Sequence, residues 1–223
     1  MKEHPVLFSG EMVRAILEGR KTQTRRLIPL PQELASLPFF KSGTELVPRR
    51  AHLTFERGAL RRCWLSGACW NDEVAAKPRC AVGDTLWVRE AWAPWCNPSI
   101  LCAGCERCDR SHGEYLYRAN NPAPQNIDCV IKWRPSIHMP RSASRITLKV
   151  TAVRAEMLTQ ITEADAQAEG YTPVFKEAGG ISYIQHTAKE FFEQGWDSLY
   201  WKQGFGWSKM PYVWAYTFKE VKK

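Results

Sequence analysis

The stretch Ile146-Thr147-Leu148-Lys149-Val150-Thr151-Ala152-Val153 alternates apolar with polar or small side chains, the period of two that a half-buried β-strand requires. It is the clearest alternation in the chain and makes the fold β-centred. Working outward from it, Gly83-Asp84 forms a turn into Thr85-Leu86-Trp87-Val88-Arg89-Glu90, where Leu86 and Val88 alternate with more polar or amphipathic neighbours. Val213-Trp214-Ala215-Tyr216-Thr217-Phe218 closes the chain as a further strand. Short helices fall between these strands. Ser9 caps one that carries Met12, Val13, Ile16 and Leu17 on one face, and Gly19 supplies the left-handed residue that ends it. Thr162 and Asp165 have the spacing of a capping box for a helix running through Ala166 and Ala168 to Gly170. Another is predicted from Thr187 to Leu199, burying Phe191, Phe192, Trp196 and Leu199. Strands separated by small helices and long loops predict a compact α+β domain built on a small barrel.

The chain has 223 residues, one and a half times a typical domain of roughly 150, so residues 1–223 are read as one decorated domain. Two loop-rich insertions decorate it. From about residue 30 to 80 the chain has scattered prolines, the pairs Arg49-Arg50 and Arg61-Arg62, and no sustained period. The second, at about 94–130, holds most of the cysteines. No apolar run approaches the ~20 residues that cross a bilayer, and Met1-Lys2-Glu3-His4-Pro5 is unlike a secretory leader. The expected placement is cytoplasmic, with no membrane partner. Subtracting 23 acidic from 31 basic residues leaves +8, a balance that favours polyanions and makes nucleic acid the first partner to test. A basic surface that only maintains solubility is the alternative.

Immediately after the first helix comes Arg20-Lys21-Thr22-Gln23-Thr24-Arg25-Arg26, four cations and two hydroxyls with no apolar residue to bury. Such a segment is expected to face solvent or a ligand. With Gly19 in front, it resembles the signature of the ASCH domain, a PUA-like β-barrel family. The likeness extends to Gly83–Glu90 as the family's barrel strand, Ile161–Gly170 as its acidic helix and Trp214–Phe218 as its closing strand. The longer pattern, with Lys132-Trp133-Arg134-Pro135-Ser136-Ile137-His138-Met139-Pro140, is similar to ASCH proteins of phages and prophages.

The resemblance implies a PUA-like small barrel with flanking short helices, and a cleft beside it that takes RNA, DNA or a nucleoside. Some small bacterial members of the family are amidohydrolases that remove the acetyl group of N4-acetylcytidine with a lysine, a threonine and a glutamate. Lys21 and Thr24 stand at the matching motif positions, and Glu169, in Ala166-Gln167-Ala168-Glu169, is the best match for the glutamate. Arg20, Lys21, Arg25 and Arg26 would then contact nucleic acid. Other members are reported as ribonucleases or RNA binders, so a non-catalytic RNA- or DNA-binding module and a ribonuclease remain the alternatives.

The chemistry asks specific things of these groups. A threonine hydroxyl becomes a nucleophile only when a base takes its proton, and a lysine is that base only if its ammonium is made more acidic. Crowding by Arg20, Arg25 and Arg26 works in that direction, whereas a carboxylate beside Lys21 works against it. Glu169 is therefore read as a positioning group or a proton donor to the departing amine. Residues three apart share a face in a helical turn and lie on opposite faces of a strand. Lys21 and Thr24 thus cooperate only if their segment is turned.

Cys96, Cys102, Cys105 and Cys108 fall within thirteen residues, and their CxxC pairs have the spacing that grips one tetrahedral zinc. A structural zinc knuckle is the leading reading, with Asp109, His112 or Cys129 as substitute ligands. An iron–sulfur run is disfavoured because His112 takes the place of its fourth cysteine, and reduced surface thiols are the bland alternative. Most of the ten tryptophans are expected in the core, while Trp92 or Trp95 is a candidate for stacking on a base.

Overall fold

A computed structural model of the chain describes residues 1–28, 39–42, 45–48, 52–56, 59–66, 69–94, 115–120, 133–178 and 181–221. In chain order the elements are β1 (Glu3–Leu7), α1 (Gly10–Leu17), β2 (Gln23–Leu27), β3 (Phe39–Ser42), β4 (Glu45–Pro48), β5 (His52–Glu56), β6 (Ala59–Ser66) and β7 (Cys69–Ala76). They continue as β8 (Thr85–Arg89), β9 (Trp92–Pro94), β10 (Tyr115–Tyr117), β11 (Thr147–Met157), α2 (Glu163–Ala168), β12 (Val174–Ala178), β13 (Ile181–His186), α3 (Ala188–Tyr200) and β14 (Tyr212–Glu220). The fold is α+β. Its largest sheet has five strands in the order β1-β8-β11-β14-β2, with β1 parallel to β8, β8 antiparallel to β11 and β14 antiparallel to β2. No helix among the described residues is long and apolar enough to cross a membrane.

The strands predicted at 85–90, 146–153 and 213–218 all form, as do the three predicted helices, the first two with their predicted caps. The Ser9 hydroxyl accepts from the Met12 amide at 3.4 Å, and Gly19 takes the left-handed conformation at φ +75°. In α3 the buried line is Ala188, Phe192 and Trp196, spaced by four. Leu199, expected in that line, is exposed, because Tyr200 supplies the last-turn contact by stacking on Trp196 with ring centroids 4.3 Å apart.

Two expectations are corrected. The stretch read as an irregular insertion at 30–80 contains regular structure: the hairpin β3-β4 and the antiparallel sheet β5-β6-β7. Its alternation is short, as in His52-Leu53-Thr54-Phe55-Glu56, and the charged pairs obscure it in a sequence window. The register sets Arg62 opposite Glu73. Only two residues separate β5 from β6 and β6 from β7, and in the sequence each pair includes a glycine, Gly58 or Gly67. The second correction concerns residues 20–26. Gln23–Leu27 is a strand, and of the segment expected to face solvent or a ligand Lys21, Thr24 and Arg25 are buried away from solvent.

Two compact units make up the chain: Met1–Thr22 with Gly83–Val150 and Phe218–Lys223, and Gln23–Val82 with Thr151–Thr217. In the first, Trp92, Met139 and Ala143 form a buried cluster edged by Tyr115 and Tyr117. Trp92 meets Tyr115 edge-on at 5.5 Å, which makes this tryptophan a core residue rather than a base-stacking one. In the second, Leu158, Ile161, Ala166, Ala188, Phe192, Trp196 and Val213 form the core. Each fully buried side chain of this size contributes roughly 1.5–3 kcal/mol to holding α2 and α3 on the sheet.

Candidate functional site

In the first unit, Lys21 follows α1 through a tight return of the chain. The amides of Arg20 and Lys21 both donate to the carbonyl of Ala15 at 2.9 Å, a close approach that the left-handed Gly19 permits. This return carries the Lys21 side chain inward, where only 2% of the residue is exposed and Nζ lies 5.3 Å from the centre of the Phe8 ring. Arg20 stays outside and donates through Nε to Glu18 at 2.8 Å.

In the second unit, β2 places Thr24 opposite Tyr216 and Arg25 opposite Ala215. Side chains alternate along a strand, so Thr24 and Arg26 share one face and Gln23, Arg25 and Leu27 the other. The Arg25 face carries the helices: Leu27 packs on the core cluster of α2 and α3, and the Arg25 guanidinium lies 5.9 Å from the Phe192 ring. Thr24 is 4% exposed on the opposite face; its cross-strand neighbour Tyr216 accepts from the Arg79 amide at 3.2 Å.

Glu169 is positioned by its helix. The Thr162 hydroxyl accepts from the Asp165 amide at 3.1 Å and the Thr162 amide donates to Asp165 Oδ2 at 3.3 Å, which starts α2. Gly170, at φ +99°, ends it, leaving Glu169 as the C-terminal cap. The residue is 3% exposed, and its Oε1 accepts from Arg25 Nη1 at 3.2 Å. Arg25 itself has a fully buried side chain. Its Nε donates to Glu156 Oε1 at 2.7 Å, Nη2 approaches the same oxygen at 2.7 Å, Nη1 donates to Gln23 Oε1 at 3.4 Å, and Asp165 Oδ2 is 3.5 Å from Nη2.

Arg154 completes the cluster, donating to Glu156 Oε2 at 2.7 Å, Asp165 Oδ1 at 2.9 Å and Gln23 Oε1 at 3.3 Å. Two guanidinium groups therefore face three carboxylates. Burial pushes the Asp165 carboxyl up, but hydrogen bonds from Thr162 and the charges of Arg25 and Arg154 outweigh it and hold the group down at about 2. The sequence reading missed Gln23, Arg154 and Glu156. Their signal was the period of two, which puts Gln23 with Arg25 on β2 and Arg154 with Glu156 on β11.

Arg25, expected among the phosphate contacts, is instead enclosed by carboxylates, whereas Arg20 is exposed and Arg26 partly so. Cys96, Cys102, Cys105 and Cys108 lie outside the described residues, as do Trp95 and Arg49-Arg50. Among the described residues no three His, Cys, Asp or Glu side chains are grouped as metal ligands. Comparison of the chain with protein-family models, with curated proteins and with solved structures finds no match.

Proposed function

We propose that the chain is an ASCH-type protein with a PUA-like barrel that binds a nucleoside or RNA and hydrolyses the exocyclic amide of an N4-acylated cytidine or related base. Burial carries the reading. Lys, Thr and Glu ordinarily lie at the surface, yet Lys21, Thr24 and Glu169 are 2%, 4% and 3% exposed, a pattern that sequence burial rules alone do not produce. A buried polar group persists only where something compensates its lost hydration, and chemistry at a site is one reason to retain it. In this reading Lys21 takes the Thr24 proton as Oγ bonds the acyl carbon. The amide C–N bond then breaks, with the proton passing to the departing cytosine amine, and water cleaves the threonyl ester to release the carboxylic acid. Glu169 serves as orienting acid and base. Arg20 and Arg26 supply the positive charge for phosphate.

Incubation with N4-acetylcytidine is the direct test, with release of cytidine and acetate expected. Thr24→Ala and Lys21→Ala should each lower turnover by roughly a thousandfold or more, as losing a nucleophile or its base does elsewhere. A second reading has an observation of its own: the strand period turns Thr24 away from the face on which Arg25 holds Glu169. That separation favours a non-catalytic RNA- or DNA-binding module. No turnover, together with RNA binding that weakens steeply with salt, would establish it.

For the cysteines we propose a structural zinc held by Cys96, Cys102, Cys105 and Cys108, on their spacing. About one equivalent of zinc is expected in purified protein, and less than about half would remove the proposal.

A further inference from the structure

Glu169 sits where a helix no longer dictates the direction of its side chain. It is the cap residue of α2, directly before the left-handed Gly170, so the turn behind it constrains the backbone and not the carboxylate. Arg25 supplies a constraint on that carboxylate. Its guanidinium is pinned along more than one edge, by Glu156 at 2.7 Å and by Gln23 at 3.4 Å, and offers Nη1 to Glu169 at 3.2 Å. The plane of the group is set by these contacts and by full burial beside Phe192. Asp165 lies one helical turn before Glu169, on the same face, and is tied to Arg154 at 2.9 Å and to Thr162 at 2.8 Å. The helix is thus fastened at both carboxylates.

We propose that Arg25 is the positioning residue of the site: it orients the Glu169 carboxylate for proton transfer without touching substrate itself. The catalytic part rests on the hydrolase reading above; the tether rests on the geometry just described. A guanidinium is required because its donors form a rigid fork, which a lysine ammonium at the same place cannot reproduce.

The test is a double-mutant cycle on N4-acetylcytidine hydrolysis with wild type, Arg25→Met, Arg25→Lys, Glu169→Gln and the two double variants. Arg25→Met should lower kcat by roughly 10–100-fold, the range for groups that orient a working ligand, with KM within about twofold. Arg25→Lys should restore only part of it. Once Glu169 is Gln, changing Arg25 should cost less than about threefold more. Additive losses, or a change confined to KM, would overturn the proposal; if Arg25→Met does not fold, the Arg25→Lys cycle carries the same criterion. The tether also has a readout that needs no activity. The carboxyl carbon resonance of Glu169, assigned by its disappearance in Glu169→Gln, should shift in a folded Arg25 variant. An unmoved resonance refutes the tether whatever the kinetics show. A wild type that does not hydrolyse the nucleoside removes the hydrolase reading and the catalytic role of Arg25 with it, leaving the tether to be judged on the resonance.

Discussion

Two buried ion clusters among the described residues are of opposite design. In the first unit Glu90, 1% exposed, faces Arg145 in a bidentate pair at 2.8 and 3.0 Å. The Arg145 guanidinium also stacks 4.0 Å from the Tyr117 ring, and its Nη2 donates to Asn120 at 3.0 Å. One charge meets one charge, and aromatic and amide groups satisfy the rest. In the second unit, Arg25 and Arg154 face Glu156, Asp165 and Glu169. A single matched pair fulfils a structural need, whereas the second cluster is a network in which two guanidinium groups hold three carboxylates in fixed positions. That asymmetry separates a brace from a candidate site.

The sharpest way to break the contrast is Arg145→Met, which would strand Glu90 in the interior. Losing one partner of a buried pair costs about 3–5 kcal/mol, so chemical denaturation should show a large drop while any hydrolytic activity of the folded fraction persists. A loss under about 1 kcal/mol would mean that the pair is no brace. Glu156→Gln comes next. It removes a charge shared by Arg25 and Arg154, and a hydrogen bond to a charged group contributes roughly 1.5–3 kcal/mol, so a smaller destabilisation is expected, accompanied by lower turnover.

Thr162→Ala removes a cap and a hydrogen bond to Asp165, with an expected loss of about 1 kcal/mol in the same denaturation assay. The smallest effect is in acid. Asp165 titrates near 2 in the folded protein against an ordinary 3.8, so its contribution is fully present above the ordinary value and is lost as pH falls toward 2. Stability measured from pH 5 to pH 2 should fall more in wild type than in Asp165→Asn. Equal slopes would show that the cluster does not depress this carboxyl.

Much of the second unit's framework was legible residue by residue. Thr162 with Asp165 is a capping pair whose hydrogen bonds are local, so spacing alone reveals it; Thr187 with Glu190 forms the same box and was not singled out in the sequence. The alternation at 146–153 extends to Met157, and the extension was not foreseen because Arg154 and Glu156 look like solvent-facing residues until their partners are known. β1 escaped notice for a related reason. It is five residues long and owes its existence to parallel pairing with β8, a contact some eighty positions away that no short window contains. The β12-β13 hairpin was missed too: among its described side chains the apolar Val174, Phe175 and Ile184 are exposed, so burial does not mark them out.

The sequence alone determined the local matters: where helices begin and end, which long strands alternate, the basic excess, and the identity of Lys21, Thr24 and Glu169 as residues to watch. Long-range packing settled that Lys21, Thr24 and Arg25, out of a run of cations and hydroxyls, would be drawn inside, and that Arg25 would meet carboxylates. The physical reason is that a charged side chain enters the interior only when its counter-charges arrive with it, and those of Arg25 come from 131 and 144 residues further along the chain.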